Sequence, residues 1–323
     1  MAGPSEGRVT PATAQLALDL PATLPGIDIA PEWKAQPRLW GHSFHPMCSY
    51  LASFPAALAH AFIARYSRPG DVVVDPFSGR GTTPLQAVAE GRVGVGNDLN
   101  PFAHLLTAAK VDPPTRAAAT ARLTRLRLAW SADAEAWTTL AAAAEADPAV
   151  LVPVRGSGGA VGAAASGEPL PREVALAFHP RTLGQLLAVR SSLDLVDRTD
   201  RFLAAAITGI LHGKSASYLS PLMPNTFSMA PRYVREFARR TSFASPERDL
   251  FDGLAAKIDR LFRQPPPSAA GEALLGDARD ASVRIRRALR ERALPDRARL
   301  VVTSPPYLRV VKYGYYNWLR TWF

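Results

Sequence analysis

The sequence predicts an α/β fold, a parallel sheet with helices on both faces, interrupted between its second and third strands by a mainly helical insertion. Two stretches carry that prediction. DVVVDPFSGRGTTPLQAVAEGRVGVGND (residues 71–98) and EALLGDARDASVRIRRALRERALPDRARLVVTSPPY (residues 272–307) each run strand, turn, helix, strand. A short β-branched run delivering a turn and then a helix is the repeating unit of such a sheet. The third observation is what separates them: residues 112–270 are dominated by helical composition.

Taken in order, residues 1–40 are proline-rich and weakly periodic, and read as an extended N-terminal arm. In HPMCSYLASFPAALAHAFIARYSRPGD, Phe54, Leu58, Phe62 and Ile63 recur at helical spacing and Pro69-Gly70 stops the helix. A strand over 72–74, a glycine-rich turn, a helix over 83–90 and a strand over 93–97 follow. In the insertion, FHPRTLGQLLAVRSSLDLV and RFLAAAITGILHG are patterned as helices, and KSASYLSPLMPNTFSMAPRYV is irregular. The low-complexity break RGSGGAVGAAASGEP (155–169) reads as a flexible surface loop. RQPPPSAAGE links back to the sheet, where a strand to Gly276-Asp277, an arginine-rich helix and a strand into Thr303-Ser304 precede an aromatic-rich helical end. The organisation expected is therefore an arm (1–40), a first sheet block (41–111), the insertion (112–270) and a second sheet block (271–323).

An apolar fraction of 47% is ample for a buried core. No apolar run approaches the roughly 20 residues that span a bilayer. The N-terminus lacks the basic-then-apolar layout of a signal peptide, so a cytoplasmic protein is expected, with no membrane partner. Cys48 is the single cysteine, which excludes an internal disulfide and a cysteine-based metal cluster. His42, His45, His179 and His212 are scattered without ligand spacing, so no metal site is expected. The formal charge of +10 favours a polyanion such as nucleic acid. The 33 Arg against 5 Lys, beside many Ala and Pro, also fit a GC-rich coding bias, which discounts that inference.

DPFSGRGTT sits after a strand and opens a helix, the setting in which glycines allow a tight turn and close backbone approach to a ligand. It lacks the Gly-Lys-Ser/Thr ending of a phosphate loop and has no third glycine for G-x-G-x-x-G. Asp75, ahead of Gly79 and Gly81, suits a cationic or amine-bearing ligand. Asp98 ends the next strand, 23 residues on, where an acidic residue accepts from both hydroxyls of a ribose. The pair implies an adenosine-containing cofactor with a positive end. Asp277, at the third strand's end, could meet the adenine amino group in the same crevice. The plainer alternative is an aspartate that caps a helix and glycines that shape a turn.

DPFSGRGTT, GNDLNP, GDA and TSPPY together resemble the motifs of the S-adenosylmethionine-dependent DNA amino-methyltransferases. HPMCSYLASFPAALAHAFIARYSRPGD also resembles the segment that in this family packs beside the cofactor's methionine end. The resemblance covers about residues 41–110 and 270–320. It implies a Rossmann-like methyltransferase sheet, with S-adenosyl-L-methionine held by Asp75, Pro76, Phe77, Ser78, Gly79, Gly81, Thr82, Thr83, Asp98, Leu99 and Asp277. Ser304, Pro305, Pro306 and Tyr307 would be the catalytic loop.

The exocyclic amine's lone pair is delocalised into the ring, so the site must accept its hydrogens and let the nitrogen become tetrahedral before in-line attack; acceptors and rigidity are needed. Ser304 offers a hydroxyl, and the Ser304 and Pro305 carbonyls can point outward because proline fixes φ. Tyr307 supplies a ring to stack on a base extruded from the duplex. In this family Ser-Pro-Pro-Tyr is typical of N4-cytosine enzymes and Asp- or Asn-Pro-Pro-Tyr of N6-adenine enzymes, so Ser304 favours cytosine N4 in double-stranded DNA. N6-adenine methylation and RNA amine methylation are the alternatives. Carbon-5 methylation is set aside, because it needs a cysteine nucleophile. Cys48 lies outside any Pro-Cys setting and reads as a small, partly buried residue.

The insertion is the expected recognition element. Lys214, Asn225, Arg232 and Arg235 sit in a proline-broken loop leading to a basic helix, and Lys312 follows the proline loop. An ordinary solvated basic face is the competing reading. Arg284, Arg286, Arg287 and Arg290 read as the outer face of their helix. In the resembled family the sheet continues for several strands after the proline loop, whereas here about one helix follows. The C-terminal part of the sheet is therefore expected to be missing, to be supplied by a partner polypeptide or to leave an incomplete, partner-dependent or inactive DNA-binding methyltransferase fragment. A nucleoid-associated protein, with or without a cognate restriction enzyme, completes these expectations.

Overall fold

The structure is a computed structural model that describes residues 31–37, 39–158, 167–221, 231–307 and 313–323. Within the expected N-terminal arm, Pro31–Ala35 forms a 3-10 turn. A second 3-10 turn, His45–Met47, leads to helix α1 (Ala56–Tyr66), strand β1 (Val72–Asp75), helix α2 (Thr82–Ala89), strand β2 (Val93–Asp98) and helix α3 (Pro101–Val111). Helices α4 (Arg116–Ala132) and α5 (Ala134–Ala146) precede a small hairpin, β3 (Leu151–Pro153) with β4 (Gly167–Pro169). Then come α6 (Arg172–Ala177), α7 (Pro180–Ser192), α8 (Arg198–Thr208), α9 (Pro231–Thr241) and α10 (Leu250–Leu261). Strand β5 (Gly271–Leu275), helix α11 (Ala281–Glu291), strand β6 (Ala298–Val301) and helix α12 (Tyr313–Trp322) complete the described elements.

Among the described residues the main sheet has four strands in the order β5-β2-β1-β6, every pair parallel. Strand β1 is buried along its whole length, and its valines alternate between two cores. Val72 and Val74 join Val93, Val95 and the α11 residues Ala281, Ile285 and Leu289 on one face. Val73 packs with Ala59 and Ile63 of α1 and Ala87 of α2 on the other. Helices therefore cover both faces, as the two strand-turn-helix-strand blocks predict.

Two glycines of β2 set how closely α2 and α3 approach. A Cβ on Gly94 would lie 2.2 Å from the Pro84 carbonyl oxygen, and one on Gly96 would lie 2.6 Å from Thr107 Cγ2. Helix α1 starts after Pro55, two residues later than Phe54 suggests, and it ends at Ser67. There the backbone N–H and the hydroxyl of Ser67 both donate to the Ile63 carbonyl, at 3.1 and 2.6 Å.

Two expectations need correction. The surface loop over 155–169 is narrower than its composition suggests, because Gly167–Pro169 pairs antiparallel with Leu151–Pro153. A Cβ on Gly167 would lie 2.7 Å from Leu151 Cβ, so the glycine serves strand pairing there. Residues 159–166 lie outside the described residues. Arg284 departs from the exposed Arg286, Arg287 and Arg290: its guanidinium turns in to the Asp277 carbonyl and lies 3.5 Å from Asn97 Oδ1. Gly276 makes room for it.

The insertion shares its core with the sheet. One continuous apolar cluster joins Leu85 of α2 and Phe102 and Leu106 of α3 to Trp137, Leu183, Phe202 and Phe251. Phe44 and Met47 thread into it from the N-terminal side, with the Phe44 ring against Phe202 and Phe262. Arg122 and Asp200 form an ion pair at 2.6 Å beside this core. Cys48 is buried at 1% exposure, more deeply than the partial burial expected of it. No helix among the described residues is long and apolar enough to cross a membrane, and none of their His, Cys, Asp and Glu side chains cluster to hold a metal.

Candidate active site

The chain turns tightly where β1 meets α2. Gly79 and Gly81 take φ of 51° and 76°, in the left-handed region that favours glycine. At Gly81 a Cβ would also lie 2.9 Å from the Thr107 Cα, so the turn closes down on α3. Ser78 Oγ and Thr107 Oγ1 are hydrogen-bonded at 3.0 Å, and Lys110 Nζ donates to the Arg80 carbonyl at 2.5 Å. Lys110 is fully buried, and burial drives its pKa well below the ordinary lysine range.

The carboxylate of Asp98 fixes the turn from the next strand. Its Oδ2 accepts the Gly79 N–H at 2.8 Å and its Oδ1 accepts the Asn100 N–H at 2.9 Å. Burial raises its pKa, although those backbone donors oppose the shift. Asn97, 1% exposed, ties three strand ends together, donating from Nδ2 to the carbonyls of Pro76 (3.2 Å) and Gly276 (2.9 Å).

A cavity of about 370 Å³ opens at this carboxyl edge. Phe77, Ser78, Gly79, Thr82, Asp98 and Leu99 line one side, and Ser304 and Pro306 line another. Residues more than 200 positions apart in sequence thus meet in one cleft, the usual place for a ligand in an open parallel sheet. The remaining wall is the Tyr50–Phe54 segment with Asn100, Tyr313 and Gly314. Tyr50 stacks between Phe102 and Tyr313, with ring centroids 6.0 and 6.1 Å away. Burial pushes the Tyr50 phenol above its ordinary range, so the ring stays neutral. Ala52, in the same segment, holds a φ of 58°, a strained conformation for a residue with a side chain.

Several predicted residues stand elsewhere. Asp75 is 1% exposed and does not line the cavity: its Oδ1 accepts from Thr303 Oγ1 at 2.6 Å and from the Phe77 N–H at 3.1 Å. The carboxylate is engaged with its own chain, not aimed at a ligand. Burial raises its pKa to about 6 against those donors. Pro76, Gly81 and Thr83 shape the turn from behind the lining; Thr83 is fully buried and donates to the Val302 carbonyl at 3.1 Å. Asp277 is outside the lining, in an ion pair with Arg279 at 2.7 Å that holds its pKa down at about 2. Pro305 is exposed, and Tyr307 is 51% exposed with its hydroxyl 3.4 Å from Ser304 Oγ.

Of the basic candidates, Lys214 is exposed, Arg232 pairs with Glu236 at 2.8 Å and Arg235 pairs with Glu173. Asn225 and Lys312 lie outside the described residues.

Tyr50, Asn97, Lys110 and Thr303 were not singled out as site residues by the sequence. Lys110 near a helix C-terminus reads as an ordinary charge complementing the helix dipole. Asn97 and Thr303 stood inside recognised motifs, and that was the signal available for them.

The DNA methylase family profile matches residues 32–109, which hold the glycine-rich turn and Asp98. Three type II methyltransferases are similar over part of the chain. They are M.MjaII of Methanocaldococcus jannaschii (36% identical over 70 residues), M.Cfr9I of Citrobacter freundii (38% over 64) and M.MthZI of Methanothermobacter thermautotrophicus (45% over 49). The aligned stretches cover 22%, 20% and 15% of this chain and 13%, 21% and 14% of those relatives. No solved structure matches the chain at comparable stringency.

Proposed function

We propose that this chain, a member of the DNA methyltransferase family through its residues 32–109, methylates the exocyclic N4 amine of a cytosine flipped out of double-stranded DNA. One observation carries the reading: Ser304 and Pro306 line the same cavity as Gly79 and Asp98, so an amine acceptor loop and a nucleoside-holding turn face each other.

The cleft fits S-adenosyl-L-methionine. Gly79 leaves open a position that a Cβ would fill 3.5 Å from the Tyr50 ring, and Asp98 offers a carboxylate at the sheet edge for the ribose hydroxyls. Phe77, Ser78, Thr82 and Leu99 would line its remaining contacts, with Pro76, Gly81 and Thr83 holding the turn's shape. Asp75 would favour the positive end through the field of its charge, and Asp277 would reach the adenine amino group only on leaving Arg279. When bound, this cofactor supplies an electrophilic sulfonium methyl.

The chain's own residues do the rest by positioning. Ser304 Oγ, with the Ser304 and Pro305 carbonyls, accepts hydrogen bonds from the target amine and so localises its lone pair on nitrogen; the proton that the amine sheds on gaining the methyl group passes to solvent. The prolines fix that loop. Tyr307 or Tyr313 stacks on the extruded base, and the aromatic wall excludes water. Orientation of amine and methyl supplies most of the rate. Lys214, Arg232 and Arg235, with Asn225 and Lys312, are the proposed contacts to DNA, and their groups position by phosphate before any base is read. The substrate implies work on chromosomal DNA in the cytoplasm, and the relatives' type II designation suggests pairing with a restriction enzyme.

The test is transfer of radiolabelled methyl groups to DNA and to RNA, followed by mass spectrometry of the nucleosides. N4-methylcytosine in DNA is expected. N6-methyladenine would move the reading to the adenine enzymes, and label confined to RNA would overturn it. A second reading, a chain that needs a partner polypeptide, has one observation in its favour. Among the described strands β6 pairs only with β1, and Val301 on it is 56% exposed. Full turnover by the 323-residue chain alone would remove that reading.

A further inference from the structure

We propose that Thr303, braced by Asp75 and Thr83, is a positioning residue that sets the distance between the acceptor loop and the cofactor turn. The inference rests on the methyltransferase reading of the cavity and assigns a task to three residues that do not line it.

Its basis is a set of bonds joining the ends of two neighbouring strands. The ladder between β1 and β6 runs one step beyond the strand, with the Val302 N–H donating to the Val74 carbonyl at 3.0 Å. From there side chains take over. Thr303 Oγ1 donates to Asp75 Oδ1 at 2.6 Å, and Thr83 Oγ1 donates to the Val302 carbonyl at 3.1 Å. Asp75 Oδ1 also accepts the Phe77 N–H at 3.1 Å, so one carboxylate oxygen grips both the turn before Ser78 and the residue before Ser304. A carboxylate acceptor makes these bonds stronger than neutral ones.

The acceptor loop is otherwise thinly supported. Pro305, Pro306 and Tyr307 are exposed, and neither proline can donate a backbone hydrogen bond. Among the described residues the bond to Asp75 is the side-chain tie nearest to Ser304 that reaches the cofactor side of the cleft. A misplacement of about 1 Å in such a site can cost on the order of 100-fold in rate.

The experiment compares wild type, Thr303→Val and Thr303→Ser. Thr303 is itself exposed, so valine removes the hydroxyl without opening a core cavity. Thr303→Val should lower kcat about 10- to 100-fold while the Kd for S-adenosyl-L-methionine, by equilibrium dialysis, stays within about 3-fold. Thr303→Ser should restore most of kcat. The proposal is overturned if Thr303→Val keeps wild-type kcat, if serine does not rescue, or if kcat, cofactor affinity and Tm fall together.

Hydrogen exchange on the same proteins needs no turnover. The peptide holding residues 304–307 should exchange faster in Thr303→Val, while that holding 76–83 is unchanged. Equal exchange at 304–307 also overturns the proposal. Wild type that binds the cofactor but methylates neither DNA nor RNA would overturn the functional reading instead, and the exchange result would still decide the latch.

Discussion

Asp75 holds a carboxylate at 1% exposure against Thr303, Phe77 and Thr83, and its burial has a pH signature. The folded protein raises this acid from 3.8 to about 6, so between those values the native state holds the proton that the unfolded chain releases. Stability from this group is therefore highest below about pH 4, falls as pH rises to about 6, and then levels off. Two units of pKa correspond to a loss on the order of 3 kcal/mol. Asp75→Asn keeps an acceptor for Thr303 and removes the charge. Its stability relative to wild type, from urea unfolding at pH 4.5 and pH 7.5, should rise by about 2 kcal/mol over that interval. A difference that does not change with pH would show that Asp75 titrates normally. The sequence marks Asp75 as important by its place at a strand end, but its burial depends on how β6 seats Thr303 over it.

At the scale of elements, glycines on one face of β2 decide how α2 and α3 seat. Gly94→Ala would put a methyl 2.2 Å from the Pro84 carbonyl oxygen, inside backbone that cannot swing away. A loss of about 2–3 kcal/mol is expected by urea unfolding. Gly314→Ala on α12 meets nothing within 4 Å, and in a helix should leave stability unchanged or raise it by up to about 1 kcal/mol. Equal effects at the two sites would contradict this packing. The strand and helix order of both sheet blocks was legible because period-2 and period-3.6 apolar patterns are local. The β3–β4 hairpin was not, because pairing Gly167–Pro169 with Leu151–Pro153 needs a partner that composition does not reveal.

For the whole molecule, the apolar cluster that runs from Leu85 and Leu106 into Phe202 and Phe251 joins the insertion to the sheet. Unfolding in urea should then be one transition, with tryptophan fluorescence and far-UV circular dichroism coincident. Two separated transitions would mean that residues 112–270 fold as an independent unit. The Tyr50–Phe102–Tyr313 stack puts an N-terminal ring and a C-terminal ring on one cavity. Neither ring carries a motif that would pair it with the other.

By itself the sequence determined the α/β class, the two halves of the candidate site and the resemblance that the family profile matches over residues 32–109. Each depends on residues close together in the chain: glycines needing positive φ, prolines fixing a loop, valines alternating across a strand. Only the tertiary structure decided which side chains of those motifs face the cavity. Asp98, Phe77 and Ser304 do so, while Asp75, Thr83 and Asp277 turn to partners of their own. For Asp277 the partner is local, Arg279 two residues on; for Asp75 and Thr83 the reason is that a polar group at a strand end goes to whichever donor or acceptor the neighbouring strand presents. That neighbour, β6 beside β1, comes from more than 200 residues away.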